Sequence, residues 1–325
     1  MPKPKLLLTR RWPREVEQYL AQRYDVTLNE HDTPLDAAAL KAALAAYDAI
    51  CPTVTDKLTG DVLAAAAAGG KVKVLGNYGV GVSHIDLQAC QRLGIVVTNT
   101  PDVLTDATAE IAVALMLMVA RRAGEGERQV REHRWDGWAP TRMIGAAVTG
   151  KTLGLVGFGR IGQATARKAH HGFGMRVLYY SRKRADAGIE AASGGQHCAA
   201  LEDLLEQSDF VSLHCPGGAE TRHLLNATRL RRMQRSAFLI NTARGEVVDE
   251  AALAAVLREG VIAGAGLDVY EQEPRVPEAL MGFENVVLLP HLGSGTLETR
   301  VAMGMRVAAN LERFFAGAEP GDRVA

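Results

Sequence analysis

The run Thr152-Leu153-Gly154-Leu155-Val156 leads without a break into Gly157-Phe158-Gly159-Arg160-Ile161-Gly162, and a helical stretch follows at once. An apolar strand feeding a GxGxxG turn and then a helix is the arrangement that cradles the pyrophosphate of a dinucleotide. Gly157 permits the tight turn, Gly159 leaves bare backbone for the phosphates, and Gly162 lets helix and strand pack closely. The anion then rests on the helix N-terminus, where unpaired N–H groups and the helix dipole favour negative charge. A lone turn of this kind is weak evidence, with a purely structural glycine turn as its competitor, so its surroundings decide.

Downstream, short apolar runs at 176–180, 210–214, 238–241, 263–267 and 286–289 alternate with helical periodicity at 161–171, 201–207, 227–233 and 249–259. Strands and crossovers of this length predict a doubly wound parallel sheet. Upstream lie a long helix, 105–122, and a polar, Trp-containing connection, 125–149, without apolar periodicity. Before them, strands at 5–9, 26–28, 49–51, 72–75 and 95–98 alternate with helices at 14–23, 35–46, 58–68 and 86–93, a second and smaller α/β unit. A last helix, 296–315, is expected to return to that unit. The prediction is therefore two doubly wound parallel-sheet domains. A discontinuous, flavodoxin-like substrate domain takes 1–99 plus 292–325, and a Rossmann cofactor domain takes 100–291. The tail after Gly317 is expected to be loose.

At 325 residues the chain has the length of two domains, and 47% hydrophobic with 23% charged residues excludes disorder and fibres. Lys plus Arg and Asp plus Glu both number 37, so no net field draws in nucleic acid or an anionic membrane. The longest apolar run, 111–120, is too short for a bilayer, which needs about 20 residues. Met1-Pro2-Lys3-Pro4-Lys5 is followed by no signal-peptide core, and a cytoplasmic protein is expected. Cys51, Cys90, Cys198 and Cys215 show neither disulfide density nor CxxC spacing and are expected to be reduced. His170-His171 is not spaced for a metal and no HExxH occurs, so no metal is predicted. No GxSxG elbow supports a serine hydrolase.

About 20 residues beyond the glycine turn, an Asp or Glu would grip the adenosine ribose of NAD. Tyr180 stands there, followed by Ser181-Arg182-Lys183-Arg184. A carboxylate would repel a 2′-phosphate, whereas Ser181 can donate to it and Arg182 can pair with it through its planar fork. NADP(H) is the expected cofactor, with NAD(H) possible; a solvated basic turn is the alternative.

Three residues fall just past predicted strand ends, where open α/β sheets place their ligands: Arg244, Glu273 and His291. A ketone that receives a hydride becomes an alkoxide and needs a proton, which imidazolium supplies near neutral pH. His291 is that candidate. Glu273 can stabilise and orient the protonated ring, and Arg244 can clamp a carboxylate or polarise the carbonyl. Each has a structural alternative, and the nucleotide turn raises all three together. Gly76-Asn77-Tyr78-Gly79-Val80-Gly81, after the strand 72–75, is a second glycine-rich turn. Its Tyr78 to Gly81 backbone can form a nest for a substrate carboxylate, or it is an ordinary strand-to-helix turn.

These residues together resemble the D-isomer-specific 2-hydroxyacid dehydrogenase family, and most closely its glyoxylate/hydroxypyruvate reductase branch. The resemblance spans nearly the whole chain, through Asn77 to Gly81, Thr105 to Glu110, the nucleotide turn, His214-Cys215-Pro216, Asn241 to Gly245, Asp268 to Pro274 and Pro290 to Ser294. It implies catalytic roles for Arg244, Glu273 and His291, with Val80 and Gly81 as donors to the substrate carboxylate. It places Thr108, Cys215, Pro216, Thr242, Ala243, Asp268, Gly293 and Ser294 around the cofactor, Asp268 near the nicotinamide amide. It also implies a hinge near 99–101 and 289–291 and a homodimer in which Trp138 limits substrate size in the partner's site. Val82-Ser83-His84 departs from the Asp-Asn found in many relatives. The expected activity is NAD(P)H-dependent reduction of glyoxylate or hydroxypyruvate. A 2-ketogluconate reductase and a nucleotide-sensing scaffold like the corepressors of the same family are the alternatives.

Overall fold

The computed structural model describes residues 2–67 and 69–325, so the predicted helix end at Ala68 lies outside the described residues. The chain forms two units, one of residues up to Leu104 with Gly295–Ala325, the other Thr105–Ser294. Both crossings fall a few residues beyond the predicted boundaries.

In the first unit β1 (Lys5–Leu8), β2 (Asp25–Leu28), β3 (Ala49–Cys51), β4 (Val74–Gly76) and β5 (Val96–Thr98) form a parallel sheet ordered β2-β1-β3-β4-β5. This is the flavodoxin-like order. The crossovers are α1 (Arg14–Arg23), α2 (Ala37–Ala46), α3 (Gly60–Ala67) and α4 (Leu87–Leu93). Asp36 and Asp86 start α2 and α4 by accepting the N–H groups of Ala39 and Ala89. The helix Leu297–Phe315 returns to this unit as predicted. Gly76 makes room for it, since a Cβ there would lie 2.7 Å from Val307 Cγ1.

The C-terminal tail is not loose. Val324 N–H donates to Val97 O at 2.8 Å, Val97 N–H to Ala325 O at 3.0 Å, and Arg306 clamps Asp322 at 2.6 and 2.7 Å. The reason is the exposed edge of β5: its open N–H and C=O groups accept an antiparallel partner.

The second unit opens with α5 (Thr105–Ala120) and α6 (Ala123–Arg131). Helix α6 was not expected, because none of its residues is buried and so no apolar stripe marks it. Arg122, at φ 53°, breaks it from α5 and holds Glu125 at 2.7 Å. The rest runs β6 (Thr152–Val156), α7 (Arg160–Phe173), β7 (Arg176–Tyr180), α8 (Ala187–Ser193), β8 (Gly195–His197), α9 (Leu201–Gln207), β9 (Phe210–Leu213) and α10 (Ala227–Leu230). Then come β10 (Phe238–Asn241), α11 (Glu250–Arg258), β11 (Gly264–Leu267), α12 (Glu278–Met281) and β12 (Val286–Leu288).

The sheet is seven-stranded and parallel, ordered β12-β11-β10-β9-β6-β7-β8. The order reverses at β6, so the turn after it faces the crevice where such sheets bind ligands. Strand β8 escapes the sequence reading because Gly195-Gln196-His197 is a short polar edge. The inner strands are apolar on both faces, since helices cover both sides. All four cysteines are free, three of them buried. No helix among the described residues is long and apolar enough to cross a membrane.

Candidate active site

The glycine turn sits between β6 and α7. Gly157 has φ +95°, and a Cβ there would lie 2.6 Å from Cys215 N. A Cβ on Gly162 would lie 2.5 Å from Gly157 O, whereas Gly159 has nothing within 4 Å. One glycine thus closes the turn, one seats the helix, and one leaves open space at the N-terminus of α7. Phe158 is buried and stacks on Tyr179, ring centroids 3.9 Å apart; Arg160 is exposed and Ile161 half-buried. A second sign of a ligand is Thr242 Oγ1, buried after β10 without a hydrogen-bond partner among the described residues. The turn and the orphaned hydroxyl fit a dinucleotide.

At the end of β7, Ser181 Oγ donates to Lys183 O, which spends its proton within the turn. Arg182 meets Glu220 at 3.1 Å, but their side chains are 83% and 82% exposed, so the pair is weak and the guanidinium can turn to another anion. Lys183 is exposed.

Arg244, Glu273 and His291 follow β10, β11 and β12, three adjacent strands. Glu273 Oε2 lies 2.8 Å from His291 Nδ1, and its Oε1 accepts the Tyr270 N–H at 3.0 Å. Partial burial opposes its ionisation, but the hydrogen bond and charge of His291, the Tyr270 N–H and the charge of Arg244 outweigh it. Glu273 is held below the ordinary carboxylate range. Removal from water pulls the Arg244 guanidinium below its usual value, while Glu273 and Glu246 oppose this; an arginine stays charged regardless. Its Nη1 donates to Ala243 O at 2.7 Å. Glycine brings the two loops together: a Cβ on Gly245 would lie 1.8 Å from the carbonyl carbon of Tyr270, so any side chain would part Arg244 from Glu273.

His291 has φ +55°, a left-handed conformation that a non-glycine residue holds only when its surroundings enforce it. Asp268 enforces it. Its backbone carbonyl accepts His291 N–H at 3.0 Å, and its carboxylate accepts the N–H groups of Leu292 at 2.6 Å and Gly293 at 2.8 Å. Burial raises the Asp268 carboxyl above its usual value, against these donors and the His291 charge. Sequence reasoning missed Tyr270, whose hydroxyl ties the loop through Leu289 O at 2.9 Å, and Glu250, which accepts Glu271 N–H at 2.9 Å. Only their proximity to the motif signalled them.

Thr108 is buried on α5 and approaches Gly293, where a Cβ would lie 3.4 Å from its Cγ2. Cys215 and Pro216 begin the loop after β9, and burial pushes the Cys215 thiol up to about 11. Ala243 donates its N–H to Asn241 Oδ1 at 3.0 Å, and Ser294 follows Gly293 at the end of the unit. Trp138 is not gathered with these residues; it stands 83% exposed on the connection after α6.

In the first unit the expected carboxylate turn divides. Tyr78 gives its N–H to Pro52 O and its hydroxyl to Arg300 O, with its ring against Trp12 at 4.4 Å, and Gly79 gives its N–H to Asn77 O. Neither has a backbone donor to offer, which removes both from the predicted nest. The N–H groups of Val80 and Gly81 meet no acceptor among the described residues.

A doubly wound sheet with a glycine turn at its switch point, and an Arg, a Glu and a His on neighbouring strand ends, defines a dinucleotide-dependent oxidoreductase scaffold. Residues 113–293 match the D-isomer specific 2-hydroxyacid dehydrogenase, NAD binding domain. The chain is 44% identical to a glyoxylate reductase of Thermococcus litoralis, over 99% of this chain and 97% of the relative. It is 45% identical to one of Korarchaeum cryptofilum, over 99% and 96%. Among solved structures it resembles an NADPH-dependent glyoxylate/hydroxypyruvate reductase of Sinorhizobium meliloti in complex with NADP and malonate, with TM-score 0.88, 36% identity, and 99% and 97% of the chains covered. The chain belongs to the D-isomer specific 2-hydroxyacid dehydrogenase family, in its glyoxylate reductase branch.

Proposed function

We propose that the chain reduces glyoxylate and hydroxypyruvate to the 2-hydroxy acids, drawing on NADPH in preference to NADH. The observation that carries this is the His291–Glu273 pair at 2.8 Å on the strand end next to that of Arg244. A bound nicotinamide supplies the hydride. Glu273 holds Nδ1, so His291 presents Nε2 and gives its proton to the substrate oxygen as negative charge grows there, leaving a hydroxyl. Arg244 draws on that oxygen or on the acid's carboxylate. The open N–H groups of Val80 and Gly81 suit the carboxylate.

The test is oxidation of NADPH and of NADH, followed by absorbance, against glyoxylate, hydroxypyruvate and 2-ketogluconate. Turnover with the first two supports the reading. Dinucleotide binding with no reduction of any 2-oxo acid overturns it in favour of a sensing scaffold. Arg182→Ala is expected to raise KM for NADPH about tenfold and leave that for NADH within about twofold, the loss of one charge-assisted contact to the 2′-phosphate. Equal effects on both would remove Arg182 from cofactor choice.

A homodimer in the cytoplasm completes the reading. Val130, Trp135, Trp138, Ile144 and Met281 are all more than half exposed in the second unit, an apolar set that a partner copy would cover, with Trp138 limiting substrate size there. Four free cysteines suit a reducing compartment. Sedimentation velocity should give twice the 34.8 kDa chain mass; a single-chain species would remove the dimer and with it the role of Trp138.

A further inference from the structure

The directions of the Val80 and Gly81 N–H groups have a traceable cause. In a trans peptide the C=O and the following N–H point to opposite sides, so fixing a carbonyl aims the next N–H the other way. Asn77 Nδ2 donates to Gly79 O at 2.9 Å and to Gly81 O at 3.0 Å. The first of these bonds turns Val80 N–H away from Asn77. Asn99 Nδ2 donates to Val80 O at 2.9 Å, which turns Gly81 N–H away from Asn99.

Asn77 is completely buried, and its own N–H is held by Thr98 O at 3.0 Å. With Nδ2 between two carbonyls, its Oδ1 must face the other side, where His84 Nε2 lies at 3.0 Å. An amide oxygen only accepts, so His84 donates from Nε2. The His84 backbone is anchored as well: its carbonyl accepts Leu58 N–H at 2.9 Å, and the next residue, Ile85, is buried.

We infer that His84 is a positioning residue for substrate: its Nε2–H locks the Asn77 amide, and the locked amide aims the Val80 N–H at the carboxylate of a 2-oxo acid. The inference rests on the proposed carboxylate role of the Val80–Gly81 turn. Without the lock, the buried Oδ1 loses its donor, and the amide's hold on the Gly79 and Gly81 carbonyls loosens.

The experiment compares glyoxylate with its uncharged methyl ester in full-length wild type, H84A and H84Q. H84A is expected to raise KM for glyoxylate about tenfold, with kcat and the KM for dinucleotide within about twofold and the KM for the ester unchanged. H84Q, whose amide can donate, should recover most of the loss. A merely structural role would instead lower Tm and leave the acid-to-ester preference intact. Folded H84A with wild-type KM for glyoxylate overturns the inference and leaves the proposed function standing. A wild type that takes acid and ester with equal KM refutes the carboxylate turn itself, and the inference falls with it. Should H84A not fold, H84L, close to histidine in bulk and lacking a donor, decides by the same criteria.

Discussion

His291→Asn lowers kcat for glyoxylate by about 100- to 10,000-fold while Tm and the KM for dinucleotide stay near wild type. Asparagine is the right replacement because His291 occupies the left-handed region at φ +55°, which asparagine tolerates better than alanine. The loop therefore keeps its bonds to Asp268. What disappears is the proton: an amide cannot neutralise an alkoxide. Steady-state rates with saturating NADPH check this, and a kcat within tenfold of wild type would remove His291 as the acid.

Glu273→Gln separates the ring's proton from its position. The Glu273 carboxyl lies below the ordinary carboxylate range, so it is ionised throughout the neutral region and stabilises the protonated imidazole. Glutamine can still accept from Nδ1 but places no negative charge opposite the ring, so kcat for glyoxylate is expected to fall about 10- to 100-fold while Tm and the KM for dinucleotide stay near wild type. Steady-state rates with saturating NADPH check this, and a kcat within twofold of wild type would mean Glu273 only orients the ring.

Both sheets and most crossovers could be read from the sequence because parallel strands covered on two faces leave continuous apolar runs, such as 152–156 and 238–241. Helix α6 buries nothing, and the short β8, α8 and α12 each bury a single residue, Gly195, Ser193 and Leu280, so none of the four leaves such a trace. The tail after Gly317 has the composition of a loose end; only the open edge of β5 explains its order. In the site, His291 and Glu273 could be placed by position after strands. Asp268 was read as a cofactor neighbour, and its grip on the His291 loop depends on three hydrogen bonds across a chain reversal that no local pattern encodes. Likewise Tyr78 stands in the pattern of a nest, but its N–H goes to Pro52 O at 2.9 Å, on a loop that no local pattern ties to it.

Arg244→Gln should lower kcat/KM for glyoxylate by about 100- to 1,000-fold, the cost of removing one preorganised donor to developing negative charge. The Arg244 backbone is held where Gly245 presses against the Tyr270 backbone, and its Nη1 donates to Ala243 O at 2.7 Å. Glutamine keeps a planar polar end on a shorter side chain and loses the charge. Arg244→Lys restores the charge without the planar fork, and recovery should be incomplete, because one ammonium cannot hold two oxygens side by side. The decisive quantity is the ratio of the two variants. If lysine restores full kcat/KM, Arg244 acts as a point charge on the carbonyl oxygen. If it restores little, the fork itself grips the acid, and KM rather than kcat should carry most of the defect. A glutamine variant within threefold of wild type would remove Arg244 from the chemistry and leave His291 and Glu273 to act on a substrate held elsewhere.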